Sequence, residues 1–276
     1  MAALDVRTVF ISDLHLGTPG CQADFLIDFL AAVRCRQLYL VGDIVDLDAL
    51  RQRPWWPASH ARVLARLVEL AGGPTRVTYI PGNHDAALRG LAGSTLAGIE
   101  VRLHALHRTA DGRRLRVAHG DEFDPEGIGR TWLLRLGDRA YQALVWATRK
   151  LNALRRRAGR PWLPLSVMAK SRIGRALAYI ARYESLVLDR ARRDRLDGHV
   201  CGHIHMGAAR CEDGLLYLND GDWVEHCTAL VEHHDGTLEL LHWGDRRTSL
   251  ARIPPRSRET PGDVPAWPAA DGLGIR

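Results

Sequence analysis

The chain has 276 residues, 46% hydrophobic and 25% charged, enough to bury a full core as one large domain or one domain with an inserted lobe. No apolar run approaches the ~20 residues of a membrane-spanning helix, and the first residues lack the pattern of a secretory leader, so the five scattered cysteines are expected to be reduced thiols of a cytoplasmic protein. The formal charge of +6 is concentrated: residues 127–183 carry thirteen Lys and Arg against Asp138 alone, a local +12, so the rest of the chain is net −6.

The run Val9-Phe10-Ile11 reads as a first buried strand. It ends in Asp13-Leu14-His15, which delivers a carboxylate and an imidazole beyond the strand. Phe25, Leu26, Phe29, Leu30 and Val33 then recur at helical spacing and predict a helix over 23–33. A short buried strand over 38–41 stops at Gly42-Asp43-Ile44-Val45-Asp46. Residues 51–57 read as a loop in which Trp55 and Trp56 pack. Ser59 is the candidate N-cap of a helix that runs to Leu70 and is closed by Gly72-Gly73-Pro74. A third strand over 77–80 turns at Pro81-Gly82 into Asn83-His84-Asp85. Strands alternating with helices in this way mark an α/β layer.

Segments 101–107 and 113–118 flank Asp111-Gly112, a strong hairpin signal, and the second arm leads into His119-Gly120-Asp121-Glu122-Phe123-Asp124. Leu133, Leu136, Ala140, Leu144, Ala147, Leu151 and Leu154 follow at steps of three and four, as in a long amphipathic helix. Gly159-Arg160-Pro161 interrupts it, and Ile173, Leu177, Ile180, Val187 and Ala191 mark another helix. Residues 127–195 therefore read as a helical lid inserted into a domain spanning 1–250. A strand ending at Val200-Cys201 precedes Gly202-His203-Ile204-His205. A further strand is expected over 215–218, and 223–233 is expected to pair with 238–243 across Asp235-Gly236. The proline-rich stretch 251–276 reads as a disordered tail.

Seven oxygen and nitrogen donors thus arrive just past strand ends: Asp13, His15, Asp43, Asn83, His119, His203 and His205. Any one of these histidines alone is more often a packed or surface residue, so the weight lies in their joint arrival. One divalent ion with an open position needs three or four protein ligands, and seven donors suit two ions. Asp43, on a central strand, is the natural bridge. A carboxylate, amide and imidazole shell without sulfur suits Mn²⁺, Fe or Zn²⁺ better than Ca²⁺ or Cu(I). Asp46 reads as a turn cap or as a partner of the site, and Asp85 as the cap of the helix that follows it. Asp121, Glu122 and Asp124 read as solvated loop acids or as residues near the site. The remaining histidines, His199 among them, read as structural or surface residues.

These five blocks, in this order, resemble the calcineurin-like metallophosphoesterases. The resemblance implies an α/β (α+β) fold, a four-layer α/β/β/α sandwich with its ligand loops at one rim. It implies that Asp13, His15, Asp43 and His205 hold one ion, and that Asp43, Asn83, His119 and His203 hold the other. It also implies that His84, oriented by Asp46, faces the phosphate as general acid or charge stabiliser. Over residues 6–243 the chain is similar to the UDP-2,3-diacylglucosamine diphosphatases of bacterial lipid A synthesis. Those enzymes carry a helical lid at this position, usually use Mn²⁺, and cleave the pyrophosphate to UMP and diacylglucosamine 1-phosphate. The chain departs from them at His84, where they typically have Arg.

The lid interleaves Arg149, Lys150, Arg155, Arg156, Arg157 and Arg160 with Trp146, Leu151, Leu154, Trp162, Leu163 and Leu165. That pattern suits an anionic lipid surface or an acyl-bearing anionic substrate. Arg157, Lys170 and Asp124 are the candidate substrate contacts. A phosphorylated or UDP-linked glycolipid at the inner-membrane surface is the expected partner, with nucleotides or small phosphodiesters as the alternative. No nucleic-acid partner is expected, because no recognised binding module is present. A non-catalytic scaffold would have no need of seven ligands.

Overall fold

The computed structural model describes residues 3–124, 148, 150–153, 155–159 and 174–256. The greater part of the predicted lid, including Lys170 and the stretch 160–173, and residues 257–276 of the predicted tail lie outside the described residues.

Alternation of side chains along the strands sets the layering. β1 (Leu4–Asp5) only edges the fold, pairing with β3 (Val33–Arg34). In β2 (Thr8–Ile11) Val9 and Ile11 face one way and Phe10 the other. β4 (Gln37–Val41) repeats this with Leu38 and Leu40 against Tyr39 and Val41, and β5 (Arg76–Ile80) with Val77 and Tyr79 against Ile80. The three strands are parallel and in register, Phe10 beside Tyr39 and Tyr39 beside Thr78. The Phe10 and Tyr39 rings stack with centroids 5.0 Å apart. β6 (Thr95–Leu96) and β7 (Ile99–Val101) extend this sheet on one side.

A second sheet begins with the hairpin β8 (Ala105–Arg108) and β9 (Arg114–Val117). β10 (Gly198–Cys201) joins it parallel to β9, followed by β12 (Leu215–Asn219) and its antiparallel partner β11 (Ala208–Glu212). The chain then returns to the first sheet through β13 (Thr228–Glu232), β14 (Leu238–Trp243) and β15 (Arg247–Ile253). The result is an eight-stranded sheet, ordered β15-β14-β13-β2-β4-β5-β7-β6, facing a five-stranded sheet, ordered β11-β12-β10-β9-β8.

Between the sheets lies a core of Phe10, Val41, Leu115, Val117, Val200 and Leu230. On the outer face of the large sheet Val9, Ile11, Leu38 and Leu40 pack with Leu26, Phe29 and Leu30 of α1 (Ala23–Ala32) and Val63 and Leu67 of α3 (Ala58–Ala71). A short α2 (Leu47–Gln52) separates those helices. On the outer face of the small sheet Cys201 and Tyr217 pack with Tyr183, Val187 and Leu188 of α4 (Gly174–Arg193). The order helix, sheet, sheet, helix is the expected sandwich.

Several expected boundaries move. α3 starts at Ala58, because the Pro57 carbonyl already accepts the amides of His60 and Ala61, so Ser59 lies inside the helix. The supposed loop 51–57 begins with the end of α2. The apparent arm 101–107 is divided between layers: Val101 pairs with Tyr79 in the large sheet, while β8 opens the small one. Strand pairing over 223–233 is confined to β13, since the Asp222 carboxylate accepts the amides of Val224, Glu225 and His226 and holds that stretch in a turn. β15 carries order past residue 250, so Ala251 to Ile253 belong to the sheet and not to a tail.

Candidate metal centre

The sandwich sends the ends of β2, β4, β5, β9 and β10 to one rim, and the chain turns sharply just past them. Asp13, His15, Asp43, His203 and His205 all adopt positive φ, at 52°, 47°, 53°, 67° and 54°. Non-glycine residues in this region cost on the order of 1 kcal/mol or more each, so strain is gathered at one place. Backbone bonds hold the turns together: Asp13 and His15 donate to the carbonyls of Gly42 and Asp43, at 3.0 and 2.9 Å, and Gly202 donates to that of His119. The glycines of the motifs are needed for close approach. A Cβ on Gly82 would stand 2.3 Å from Oδ1 of Asp43, and one on Gly202 would stand 2.4 Å from Oδ2 of Asp13.

All seven predicted donors converge. Nε2 of His205 lies 3.0 Å from Oδ1 of Asp13 and 3.3 Å from Nε2 of His15. A second group forms around Asn83, whose Oδ1 lies 3.2 Å from Nε2 of His119 and 3.0 Å from Nδ1 of His203. Oδ2 of Asp43 sits between the groups, 3.3 Å from Nε2 of His119 and 3.9 Å from Nε2 of His15. Its Oδ1 accepts the amide of His84 at 2.8 Å. The donor set fits divalent cations: Oδ1 of Asp13 is fully buried without a well-aligned hydrogen bond, and Asp13, His15 and His205, like Asp13, Asp43 and His119, each present ligand atoms within 4.8 Å of one another.

Supporting contacts orient the donors. Nδ1 of His15 lies 2.9 Å from Oδ2 of Asp46, leaving Nε2 for the centre. Nδ1 of His119 donates to the Val41 carbonyl at 2.8 Å, which likewise frees its Nε2. Asp46 also lies 3.2 Å from Nδ1 of His84 and accepts the Ala49 amide. Asp46 thus caps α2 and faces two imidazoles.

The charges reinforce one another. Burial alone would raise the Asp43 carboxyl, but the charge and hydrogen bond of His119 hold it far below the ordinary range. Asp46 is likewise held down against its burial by hydrogen bonds from His15 and His84. Burial acts to lower the His84 imidazole, yet its bond to Asp46 and the Asp43 charge push it up to about 9. These contacts favour the cationic form of His84 in the metal-free protein, and its half-exposed ring stands 4.8 Å from that of His15.

The other predicted residues sort by place. Oδ2 of Asp124 lies 3.5 Å from Nε2 of His203, against a predicted ligand. Arg157 is exposed, and Lys170 lies outside the described residues. Asp85 stands at the start of a short 3-10 turn over 86–91, but its side chain makes no capping bond there. Its buried carboxylate accepts from Gly82 N at 2.5 Å, Ile44 N at 2.9 Å and Tyr79 Oη at 2.5 Å, binding the β4 and β5 loops together. The sequence reading also missed a layer behind Asp13, where the Ser12 hydroxyl lies 2.5 Å from both Oδ2 of Asp13 and Oδ1 of Asp220. Burial raises the Asp220 carboxyl well above its usual range, so it can supply the proton that one hydroxyl between two carboxyls requires. The signal was Asn219-Asp220-Gly221-Asp222 directly after a buried strand, another instance of acids past a strand end.

Residues 6–207 match the family described as calcineurin-like phosphoesterase. A UDP-2,3-diacylglucosamine hydrolase of Porphyromonas gingivalis is 30% identical over 123 residues, which are 42% of this chain and 46% of that protein. The chain thus spans less than half the length of this relative. Among solved structures, YfcE, a phosphoesterase from E. coli, aligns over 90% of this chain and 99% of its own at 17% identity and a TM-score of 0.47. Vacuolar Protein Sorting 29 from Cryptosporidium parvum aligns over 90% and 97% at 13% identity, also with a TM-score of 0.47.

Proposed function

The chain belongs to the calcineurin-like phosphoesterases, metal-dependent hydrolases of phosphoester bonds, and on that premise we propose that it works with two divalent ions and hydrolyses UDP-2,3-diacylglucosamine to UMP and 2,3-diacylglucosamine 1-phosphate. The observation that carries the two-ion reading is the position of Asp43 Oδ2 between the two groups of imidazole and carboxylate donors. Asp13, His15, Asp43 and His205 would hold one ion and Asp43, Asn83, His119 and His203 the other, with Mn²⁺ favoured and Fe or Zn²⁺ as alternatives. Bound there, divalent ions supply charge neutralisation at the phosphoryl oxygens and a water acidic enough to attack at neutral pH.

The chain's own residues do the rest. His15 and His119 are fixed by Asp46 and by the Val41 carbonyl, so their Nε2 atoms stay directed at the centre. His84, anchored through one ring nitrogen, keeps the other for a phosphoryl oxygen or for protonation of the leaving group. Asp46 acts through both histidines and is a positioning residue.

The substrate reading rests on the name of the P. gingivalis relative and on the basic, aromatic composition of residues 127–183. Imidazole at residue 84, where the lipid A enzymes have Arg, favours a second reading: a phosphodiester of other specificity. The test compares Mn²⁺-loaded protein on UDP-2,3-diacylglucosamine and on bis(p-nitrophenyl) phosphate. The glycolipid reading expects UMP release with kcat/KM at least about tenfold above the aryl ester, a difference of ~1.4 kcal/mol in transition-state binding. Equal or better turnover of the aryl ester would replace it with the second reading.

A further inference from the structure

Three strands that carry ligands at their carboxyl ends, β2, β4 and β5, have arginines at their amino ends. Arg7 precedes β2, Arg36 precedes β4 and Arg76 opens β5. Backbone hydrogen bonds hold them side by side, with Arg76 one residue further along than Arg36: Arg36 N donates to the Arg7 carbonyl at 3.1 Å, and Arg76 N to the Arg36 carbonyl at 2.9 Å. Neighbouring strands lie only ~4.8 Å apart, so three cationic side chains start from adjacent positions on one edge. A fourth joins them from the small sheet, where Nη1 of Arg7 donates to the Arg108 carbonyl at 2.9 Å. Together Arg7, Arg36, Arg76 and Arg108 line a cavity of about 370 Å³ at the rim opposite the metal centre.

Arg36, Arg76 and Arg108 are exposed, and few carboxylates stand near them. The carboxylate that contacts three of the lining residues, Arg7, Thr8 and His107, is Glu232, and its oxygens are already taken. It accepts from Nη1 of Arg7 at 2.6 and 2.7 Å, Thr8 Oγ1 at 2.7 Å, His107 Nε2 at 2.9 Å and Ala110 N at 2.6 Å. Glu100, which the charge of Arg76 also reaches, is paired with Arg102 at 2.5 Å. Arg36, Arg76 and Arg108 form no ion pair with any described carboxylate. Three exposed arginines without an ion-pair partner among the described residues therefore flank one cavity, in the part of the chain that is net −6 once residues 127–183 are set aside. A general basic surface does not account for them.

We propose that this cavity is a second anion site, which binds a small multivalent phosphate anion such as a free polyphosphate or the phosphate chain of a nucleotide. Guanidinium forks match phosphate oxygens in pairs. The volume is at the small end of ligand sites and suits a di- or triphosphate. The site does not depend on the hydrolytic reading, because it shares no residue with the metal centre.

The test is calorimetric titration of inorganic tripolyphosphate into the metal-free full-length protein, so that no metal ion at the other rim can hold the anion. One saturable site is expected, weakened by added salt. The Arg36/Arg76/Arg108→Ser variant should bind about 10²-fold or more weakly, since it removes the charge-assisted hydrogen bonds of three guanidinium groups. It should keep full hydrolysis when loaded with metal, which also reports that it folds. His84→Ala should bind the anion as wild type does. ATP binding like tripolyphosphate identifies the phosphate chain as the ligand; ATP at least tenfold tighter identifies a nucleotide. No saturable binding, binding unchanged in the arginine variant, or binding lost in His84→Ala would overturn the proposal.

Discussion

Replacing Asp85 with alanine should be among the most damaging single changes near the rim. The carboxylate is fully buried and accepts from three donors, Gly82 N, Ile44 N and the Tyr79 hydroxyl. Asp85→Ala leaves all three without a partner in a place water does not reach. A buried donor left unpaired costs about 1–3 kcal/mol, and because the three share one acceptor their sum is not additive, so a loss of roughly 3–6 kcal/mol is expected. Asp85→Asn keeps one acceptor oxygen and should cost about half of that. Urea denaturation followed by tryptophan fluorescence of the metal-free protein gives both numbers, eight tryptophans making the signal strong. The Ala variant should also bind divalent metal more weakly, since Gly82 and Ile44 adjoin Asn83 and Asp43. A loss below about 1 kcal/mol in Asp85→Ala, the size expected for a mere helix cap, would refute the reasoning.

Three other outcomes follow from named contacts. His84→Ala should retain its metal content and lose about 10²–10⁴ in kcat, measured at saturating substrate beside metal analysis; loss of the metal would make His84 a ligand instead. Burial, aided by the charges of Arg116 and Arg190, pushes the His199 imidazole down to about 3, and neither ring nitrogen has a hydrogen-bond partner. Because its folded pKa is depressed, the unfolded chain binds the proton more readily below pH 6.5, and stability falls by about 2 kcal/mol between pH 7.5 and pH 5. His199→Phe should remove that part of the acid loss in parallel urea titrations, and an unaltered pH dependence would mean the residue titrates normally. Arg155/Arg156/Arg157→Ser should raise KM for an acylated substrate and reduce flotation with anionic liposomes at low salt; unchanged values would leave these arginines a solvated face.

The rim was legible because its chemistry is local. Each ligand stands within a few residues of an apolar strand end, and Gly42, Gly82 and Gly202 mark spots where a Cβ would collide with a ligand side chain. The four layers were readable for a similar reason, since β2, β4 and β5 alternate residues between two cores. What escaped depends on partners distant in sequence. Asp85 looks like a helix cap until Ile44 and Tyr79 are brought to it. Ser12 and Asp220 are 208 residues apart and share no pattern. β11 and β15 were overlooked because both are edge strands with little burial, so neither shows a clear alternation of apolar residues. Arg7, Arg36 and Arg76 look unrelated until parallel pairing sets them side by side.

The central claim is that Asp43 joins two metal ions in one centre, and metal content measures it directly. Wild-type protein loaded with Mn²⁺ and freed of excess should contain two ions per chain by mass spectrometry. Asp43→Ala should contain fewer than one and show almost no turnover, because one carboxylate lies between both groups of donors. Two ions per chain in Asp43→Ala would contradict the account.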